Sequence, residues 1–414
     1  MKYNKLLFFS ILLMTFYTAP LFNYCPIRFS DIGCLALLLL SIKLDHKIII
    51  TPNSIAAMLF ILWCIIDSIL LISSSTFSAS NHYTQFIRLF FAVLLFLFLP
   101  NLWENISIAS IVSVLKQILF VHLIIQICYC IIYYCGITDI FNIVSSGEDR
   151  GNLIINNNRF FNHFFIINTA SGIPRFSGVF EEPAWFGWNL NLIIAIILQY
   201  QYTFRKQILK FSEYILIFCA YSLTLSVSAI GCLILIIGAY YFLSAKKNKL
   251  KLILSFILFW VISFFSIRFL LLDRIEKIIT GADGSSNFRL IGSWNSLMTV
   301  LSNDPFTGYG LGDSNKEIYH ILHSNDFCDL TITISDMVIL DQHNMFFQVI
   351  CSLGIIGGLL FCIFLHGLSL KKSGIILLGI LCTFFSVNVF NTFFFFTSLS
   401  IMIYYWGYQP RNLQ

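Results

Sequence analysis

The chain of 414 residues has few charged side chains. Asp, Glu, Lys and Arg make up only 11% of it, whereas about 25% is usual in soluble globular proteins. So few charges cannot cover the water-facing surface of a soluble chain of this length, which excludes a soluble enzyme and a disordered protein. Hydrophobic residues account for 58% of the sequence. The composition therefore predicts an all-α, polytopic integral membrane protein.

The sequence also lacks a concentrated basic region and a metal-binding cluster. Its net charge of +5 comes from scattered lysines rather than from a basic stripe, so we expect no nucleic-acid partner. Most of the 12 cysteines lie inside apolar runs, where they act as small hydrophobic residues. They are not accompanied by a paired set of Cys and His, and no cluster of carboxylates is visible. We therefore expect neither a metal nor another cofactor.

Apolar runs recur along the whole chain. A helix needs roughly 17–25 mainly apolar residues to cross a membrane, and the sequence predicts about twelve such helices. They lie at residues 6–22, 29–42, 54–73, 84–100, 107–135, 183–201, 209–225, 228–244, 249–272, 343–366, 373–389 and 392–408. We interpret the first as an uncleaved span rather than a signal peptide. The runs at 209–225 and 228–244 could instead form one broken segment.

The distribution of Lys and Arg predicts how these helices are oriented. If the N-terminus is cytoplasmic, the inside segments hold many Lys and Arg, whereas the short outer turns hold almost none and the one at 74–83 has none. Both termini then lie inside, and two long loops lie outside. The chain thus divides into five regions, namely N-terminal helices, a first outer loop, central helices, a large outer loop and C-terminal helices. These regions are 1–135, 136–182, 183–272, 273–342 and 343–414.

The first of three polar clusters ends the first outer loop. It runs from Arg175 to Trp185 and includes Glu181, Glu182 and Pro183. Pro183 suits the first position of a helix, which would place both glutamates at the positive end of the helix dipole. One interpretation is an interfacial anchor with a capped helix start. The other is an anion site, in which the planar guanidinium of Arg175 binds two oxygens beside a carboxylate that can take a proton.

The second cluster lies in the large outer loop. Arg289 and Trp294 fall on a short amphipathic surface helix, and a glycine-rich turn follows at 303–312. Taken alone, Arg289 is more often a solvated charge on a helix than part of a binding site.

The third cluster opens the tenth predicted span with His343 and Asn344. A histidine at a membrane interface can be an anchor, or it can carry protons because its ordinary pKa is close to neutrality. Further along this span, Gly354, Gly357 and Gly358 predict close approach of a neighbouring helix.

The order of these motifs resembles one family. The sequence is similar to the superfamily of O-antigen ligases and Wzy-type O-antigen polymerases, through motifs within 175–187 and 287–357. The matching residues are Arg175, Gly178 and Pro183, then Arg289 and Trp294, then Asn303, Pro305, Gly308 and Gly310, and finally His343 and Asn344. The sequence departs from the family pattern at Val227, where members often carry an Arg between two middle spans. No role of that Arg can be transferred to this chain.

The resemblance implies a GT-C-like membrane glycosyltransferase in the bacterial inner membrane, with its active face in the periplasm. Its substrates would be oligosaccharides carried by undecaprenyl diphosphate, and the transfer would be inverting and independent of a metal. Arg175 and Arg289 would bind the diphosphate and stabilise the negative charge that develops on the leaving group.

The resemblance and the chemistry together also nominate residues that act on the sugars. An acceptor hydroxyl must lose a proton as it attacks, and His343, Glu182 or Glu181 would accept that proton. Trp185 and Trp294 are candidates for contact with sugar rings.

Two branches of the superfamily fit these features. A polymerase joins lipid-linked repeat units into a chain, and a ligase transfers the finished chain to the lipid A-core. The pair Glu181 and Glu182 before Pro183 favours the polymerase, with a flippase and a chain-length-determining co-polymerase as partners. The alternative of another class is a transporter or flippase of lipid-linked oligosaccharide. It would carry ionisable residues near the bilayer midplane, where Asp67 and Lys116 are the main candidates.

Overall fold

A computed structural model describes most of the chain. The described residues are 2–16, 27–44, 51–71, 79–145, 165–170, 173–180, 182–244, 293–311, 344–365, 370–386 and 392–408. Helices dominate them, which confirms the all-α class predicted from the composition.

The helices and strands carry the following labels. In chain order they are α1 (Lys2–Thr15), α2 (Phe29–Leu44), α3 (Pro52–Leu71), α4 (Ala79–Asn105), α5 (Ile108–Tyr134), β1 (Asn142–Ser145), β2 (Ile166–Ala170), β3 (Ile173–Arg175), α6 (Pro183–Phe204), α7 (Phe211–Leu223), α8 (Val227–Ser244), α9 (Ser293–Asn303), α10 (Met345–Leu365), α11 (Leu370–Ser386) and α12 (Phe393–Met402), which continues as a π-helix (Ile403–Tyr408).

Five of the described helices are long and apolar enough to cross a membrane, and these are α3, α4 from His82 onward, α5, α8 and α10. Shorter apolar helices occur at Asn4–Thr15, Phe211–Leu223, Ser373–Thr383 and Phe393–Gly407. The protein is therefore a multi-pass membrane protein. Eleven of the predicted spans overlap a described helix, and the one at 249–272 lies outside the described residues.

The chain forms two compact units, each of which is described by itself. The first contains α1, the start of α2, α5, the three strands, α6, α7, α8 and most of α11. The second contains the rest of α2 together with α3, α4, α9, α10 and α12.

Helix α6 is the core of the first unit. Every residue from Pro183 to Gln201 except Trp185 is buried. The amide side chains on this helix bond to its neighbours, which is how polar residues hold membrane helices together. Oε1 of Gln199 accepts from the Ile375 amide at 3.2 Å, and Oε1 of Gln201 accepts from the Leu209 amide at 2.6 Å.

Contacts along α6 establish the directions of α7 and α8. The Tyr221 hydroxyl, near the end of α7, donates to Oδ1 of Asn191 at 2.9 Å, whereas Tyr214 near its start lies against Gln201. Helix α7 is therefore antiparallel to α6. Ala229 at the start of α8 packs against Gly187 at the start of α6, and Tyr241 near the end of α8 lies against Tyr214 near the start of α7. Helix α8 is therefore antiparallel to α7 and parallel to α6. The segments 209–225 and 228–244 are thus two antiparallel helices, and the alternative of one broken segment is wrong.

A small sheet occupies part of the first predicted loop. Strand β1 pairs in parallel with β2, and β2 pairs in antiparallel with β3. Beneath it, Phe141, Ile167 and Phe176 form a buried apolar cluster with Tyr129 of α5. The sheet is an addition to the predicted architecture and leaves the helical class unchanged.

In the second unit, α3 and α10 pack along most of their lengths. Nδ2 of Asn53 donates to the Phe364 carbonyl at 2.5 Å, and the Trp63 indole donates to the Leu353 carbonyl at 2.9 Å. The order of these contacts makes the two helices antiparallel. Helix α12 packs against α4, where the Trp103 indole donates to Oγ of Ser400 at 2.9 Å.

Candidate active site

Arg175 ends strand β3, in register with Asn168 of β2. Its side chain is half-buried, and Nε donates to the carbonyl of Thr224 at 3.1 Å. The next residue repeats this attachment through its backbone, because the Phe176 amide donates to the Leu223 carbonyl at 3.0 Å. Two adjacent residues therefore hold the guanidinium at the C-terminal end of α7. This contact uses Nε of the guanidinium.

The backbone after Arg175 folds into a tight turn against α5. The Ser177 hydroxyl donates to the Phe180 carbonyl at 2.6 Å, and the Phe180 amide donates back to the Ser177 carbonyl at 3.2 Å. Gly178 adopts φ of 58° in this turn and lies against Gln126 of α5, so a side chain there would be strained. The Arg-x-x-Gly spacing of the motif therefore has a structural reason.

Glu182 immediately precedes α6, and Pro183 is the first helical residue, as the sequence predicted. The amides of Trp185 and Phe186 donate to the Glu182 carbonyl, so the helix begins on its backbone. The half-buried carboxylate makes no capping hydrogen bond to the helix. It lies where the helix dipole favours a negative charge. Trp185, one turn into the helix, is half-buried.

The turn between α7 and α8 lies against Arg175, which bonds to the Thr224 carbonyl in that turn. Leu225 adopts φ of 47°, a left-handed conformation that costs free energy in a residue other than glycine. It follows Thr224, whose carbonyl accepts from Arg175, and it precedes Val227 by two positions. Val227, where the sequence departs from the expected pattern, thus lies close in sequence to the attachment point of Arg175.

The glycine-rich turn of the second unit inserts into a break in α10. Gly354 interrupts this helix with φ of 67° and ψ of −174°. The amides of Tyr309 and Gly310 donate to the carbonyls of Cys351 and Ser352, both at 2.9 Å. The Ile355 amide, just beyond the break, donates to the Pro305 carbonyl at 2.8 Å.

These bonds satisfy backbone groups that a broken helix would otherwise leave exposed. A helix end leaves carbonyls without intrahelical partners, and a buried unpaired carbonyl is costly. The Leu353 carbonyl accepts from the Trp63 indole. The three consecutive carbonyls of residues 351–353 thus all have hydrogen-bond donors from outside the helix. Gly354 was predicted to admit a neighbouring helix. Instead it admits the backbone of Phe306 and Thr307, which would collide with a Cβ atom.

Asn344 caps the start of α10. Its Oδ1 accepts from the amides of Phe346 at 3.1 Å and Phe347 at 3.2 Å, which is the usual arrangement of an N-cap residue. Trp294 of α9 is 53% exposed, and its ring centroid lies 6.1 Å from that of Phe347. The predicted short amphipathic helix is therefore present, and its tryptophan is accessible.

Three of the predicted site residues lie close together in the sequence of the first unit, namely Arg175, Glu182 and Trp185. Trp294 belongs to the second unit. Glu181, Arg289 and His343 lie outside the described residues. Lys116, one of the two ionisable residues predicted within spans, forms an ion pair of 2.8 Å with Glu213 of α7. The other, Asp67, is buried on α3.

Sequence reasoning missed two features of these regions. The attachment of Arg175 to the end of α7 joins residues far apart in sequence, and no local pattern indicates it. The break at Gly354 was missed although its signals were visible, since an Asn-x-Pro-x-x-Gly-x-Gly turn and a glycine-containing span were both noted. The turn and the span meet through a tertiary contact, which the local sequence pattern does not show.

One family model matches the chain. Residues 214–362 match the family described as O-antigen ligase, a region that begins in α7 and ends in α10. It includes the second and third polar clusters and the glycine-rich turn. No curated protein was found to match the chain. The match supports the resemblance drawn from the motifs, since residues 214–362 of the chain form a domain that is similar to the O-antigen ligase family.

Proposed function

We propose that the protein is a polymerase of lipid-linked oligosaccharide repeat units, which builds O-antigen or a similar surface polysaccharide. The observation that carries this proposal is the attachment of Arg175 beside the start of α6, in a chain whose residues 214–362 match the O-antigen ligase family. The family match supports activity on lipid-linked polysaccharide, and the doubled glutamate before Pro183 favours the polymerase branch.

The proposed reaction breaks the bond between an anomeric carbon and a lipid diphosphate. An acceptor hydroxyl attacks that carbon from the opposite face, the glycosidic bond forms, and the diphosphate leaves with the bonding electrons. Arg175 would contact two diphosphate oxygens through its planar guanidinium, and Arg289 is proposed as the second such group. At a half-buried position such as that of Arg175, a fixed charge would stabilise the leaving group more strongly than it would in water.

The proton of the attacking hydroxyl must pass to a base. Glu182 is the candidate within the described residues, since it lies in the first unit, seven positions after Arg175, and its half-buried carboxylate makes no capping hydrogen bond to the helix. Glu181 and His343 are the further candidates from the sequence. Trp185 and Trp294 are proposed to contact sugar rings, for which the exposure of Trp294 is favourable.

The proposed setting is the bacterial inner membrane, with both termini in the cytoplasm and the loops at 136–182 and 273–342 in the periplasm. The distribution of Lys and Arg supports this orientation. The substrate is proposed to be carried by undecaprenyl diphosphate and delivered by a flippase, and a co-polymerase would set the chain length.

A ligase is the second candidate, because the matching family is itself described as O-antigen ligase. A transporter is less favoured on two observations. The break in α10 is closed by hydrogen bonds to the glycine-rich turn, and Lys116 is paired with Glu213.

A chromosomal deletion of the gene in its native bacterium tests the proposal. A polymerase deletion should leave surface lipopolysaccharide capped with a single repeat unit on gel electrophoresis. Long chains that accumulate on the lipid carrier would indicate the ligase instead. An unchanged polysaccharide ladder would contradict both activities. Complementation with the wild-type gene is the control.

A further inference from the structure

Two buried polar side chains on α5 have no part in the mechanism proposed above. His122 is 1% exposed and Gln126 is fully buried. Residues four apart on a helix are neighbours on one face, so these two lie one turn apart. Both touch the turn that follows Arg175. The Phe180 ring centroid lies 4.9 Å from that of the imidazole, and Nε2 of Gln126 donates to the Phe176 carbonyl at 2.7 Å.

Hydrogen bonds establish which nitrogen of His122 carries the proton. The Thr15 hydroxyl donates its hydrogen to the Leu12 carbonyl at 2.6 Å. Nε2 of His122, which lies 2.9 Å from the Thr15 oxygen, must therefore be the donor in that contact. A neutral imidazole with a proton on Nε2 has a lone pair on Nδ1 and can only accept there. Nδ1 is buried and has no hydrogen-bond partner among the described residues.

The orientation of the Gln126 amide is equally determined. Its nitrogen donates to two carbonyls, that of Phe176 at 2.7 Å and that of Ala220 at 2.8 Å. A flipped amide would place its oxygen against both carbonyl oxygens, which is unfavourable. Oε1 is therefore an acceptor, and it is buried without a partner among the described residues.

Two buried acceptors on one helix face require donors. A buried acceptor without a donor loses the free energy of its bonds to water, and folded proteins rarely leave one unfilled. Neither acceptor carries a charge, so a neutral hydroxyl suits them better than a cation. We propose that His122 and Gln126 form a binding site for hydroxyl groups beneath the turn at 176–180, taking either water or a hydroxyl of the substrate sugar.

The position of the site connects it to the region around Arg175. The turn that covers it carries Arg175 at one end and leads to Glu182 at the other. A sugar hydroxyl bound at Nδ1 would lie beside the Phe180 ring, in the turn that directly follows Arg175. The sugar as occupant rests on the proposed function, whereas water as occupant does not.

Three variants distinguish hydroxyl binding at Nδ1 of His122 from a purely structural role of this histidine. His122→Gln keeps an amide donor for the Thr15 oxygen and removes the acceptor at Nδ1. His122→Asn keeps a polar atom near Nδ1 and loses the contact with Thr15. Thr15→Val is the matched control, since it removes the partner of Nε2 and leaves Nδ1 in place. Each purified full-length variant is assayed for its melting temperature in detergent and for transfer of lipid-linked repeat units in proteoliposomes.

A sugar occupant predicts that His122→Gln lowers transfer on the order of tenfold, the rate equivalent of one lost hydrogen bond to the substrate. His122→Asn and Thr15→Val should retain most of the activity. A water occupant predicts unchanged transfer and a melting temperature lowered by about 2–4 °C in His122→Gln.

Two results would overturn the site. One is a His122→Gln protein that melts at or above the wild-type temperature with full activity, because removal of an empty acceptor should not destabilise the fold. The other is an equal loss in His122→Gln and Thr15→Val with no recovery in His122→Asn, which would assign the whole effect to the Thr15 contact. If the wild-type protein does not lengthen chains at all, the proposed function fails, and the melting temperatures still test the site.

Discussion

The turn at 176–180, with Arg175 directly before it, and the glycine-rich turn at 304–311 both dock against helices, and they are held in different ways. The first is attached through a charged side chain as well as through the backbone, since Nε of Arg175 bonds to the Thr224 carbonyl and the Phe176 amide bonds to the Leu223 carbonyl. The second is attached through backbone hydrogen bonds and apolar packing, as the amides of Tyr309 and Gly310 bond into the break of α10 and Tyr309 packs against Cys351. Under the proposed mechanism the first motif positions a group that binds the substrate, whereas the second shapes the scaffold.

The largest expected effect concerns the first segment. Arg175→Ala should lower chain lengthening about 100-fold or more, the range seen when one stabilising donor is removed from a reaction site. Arg175→Lys should also be impaired, because an ammonium cannot form the bidentate contact. The measurement is the length distribution of surface polysaccharide in a deletion strain complemented with each variant.

The control for these variants is the amount of protein in the membrane, which should stay near the wild-type level. The contact with Thr224 is one hydrogen bond, and its loss costs about 1 kcal/mol. A full-length ladder from Arg175→Lys would show that charge alone suffices. A full-length ladder from Arg175→Ala would remove the residue from the mechanism.

The second effect concerns the scaffold. Gly354→Ala should destabilise the protein by more than about 2 kcal/mol, since a left-handed residue with a Cβ is strained and the new atom would strike Phe306. The melting temperature in detergent and the amount of inserted protein report this loss. Gly231→Ala on α8 is the matched control, because a Cβ there meets no atom within 4 Å. Equal stability of the two variants would contradict the docking of the turn into α10.

Composition and motif order were sufficient for the class of fold, most helix positions and the similarity to the O-antigen ligase family that residues 214–362 show. Pro183 as a first helical residue and the short helix at Trp294 followed from local rules that need no tertiary contact. The capping of three carbonyls by Tyr309, Gly310 and Trp63 did not, because it joins three separate regions of the chain. The proposed role of His122 could not be predicted from the sequence either, because it depends on tertiary contacts with Thr15 and Phe180.

The smallest expected effect concerns Asn344, which belongs to one of the polar motifs and also caps α10. Variants at this position test whether it belongs to the scaffold or to the reacting region. Asn344→Ala should cost about 1 kcal/mol, the usual loss when an N-cap side chain is removed. Asn344→Asp and Asn344→Ser keep an oxygen that can accept from the amides of Phe346 and Phe347, so both should restore the melting temperature. If they also restore chain lengthening, Asn344 belongs to the scaffold, as the glycine-rich turn does. Restored stability with a persistent loss of lengthening would instead assign Asn344 to the reacting region, because the cap alone could not account for it.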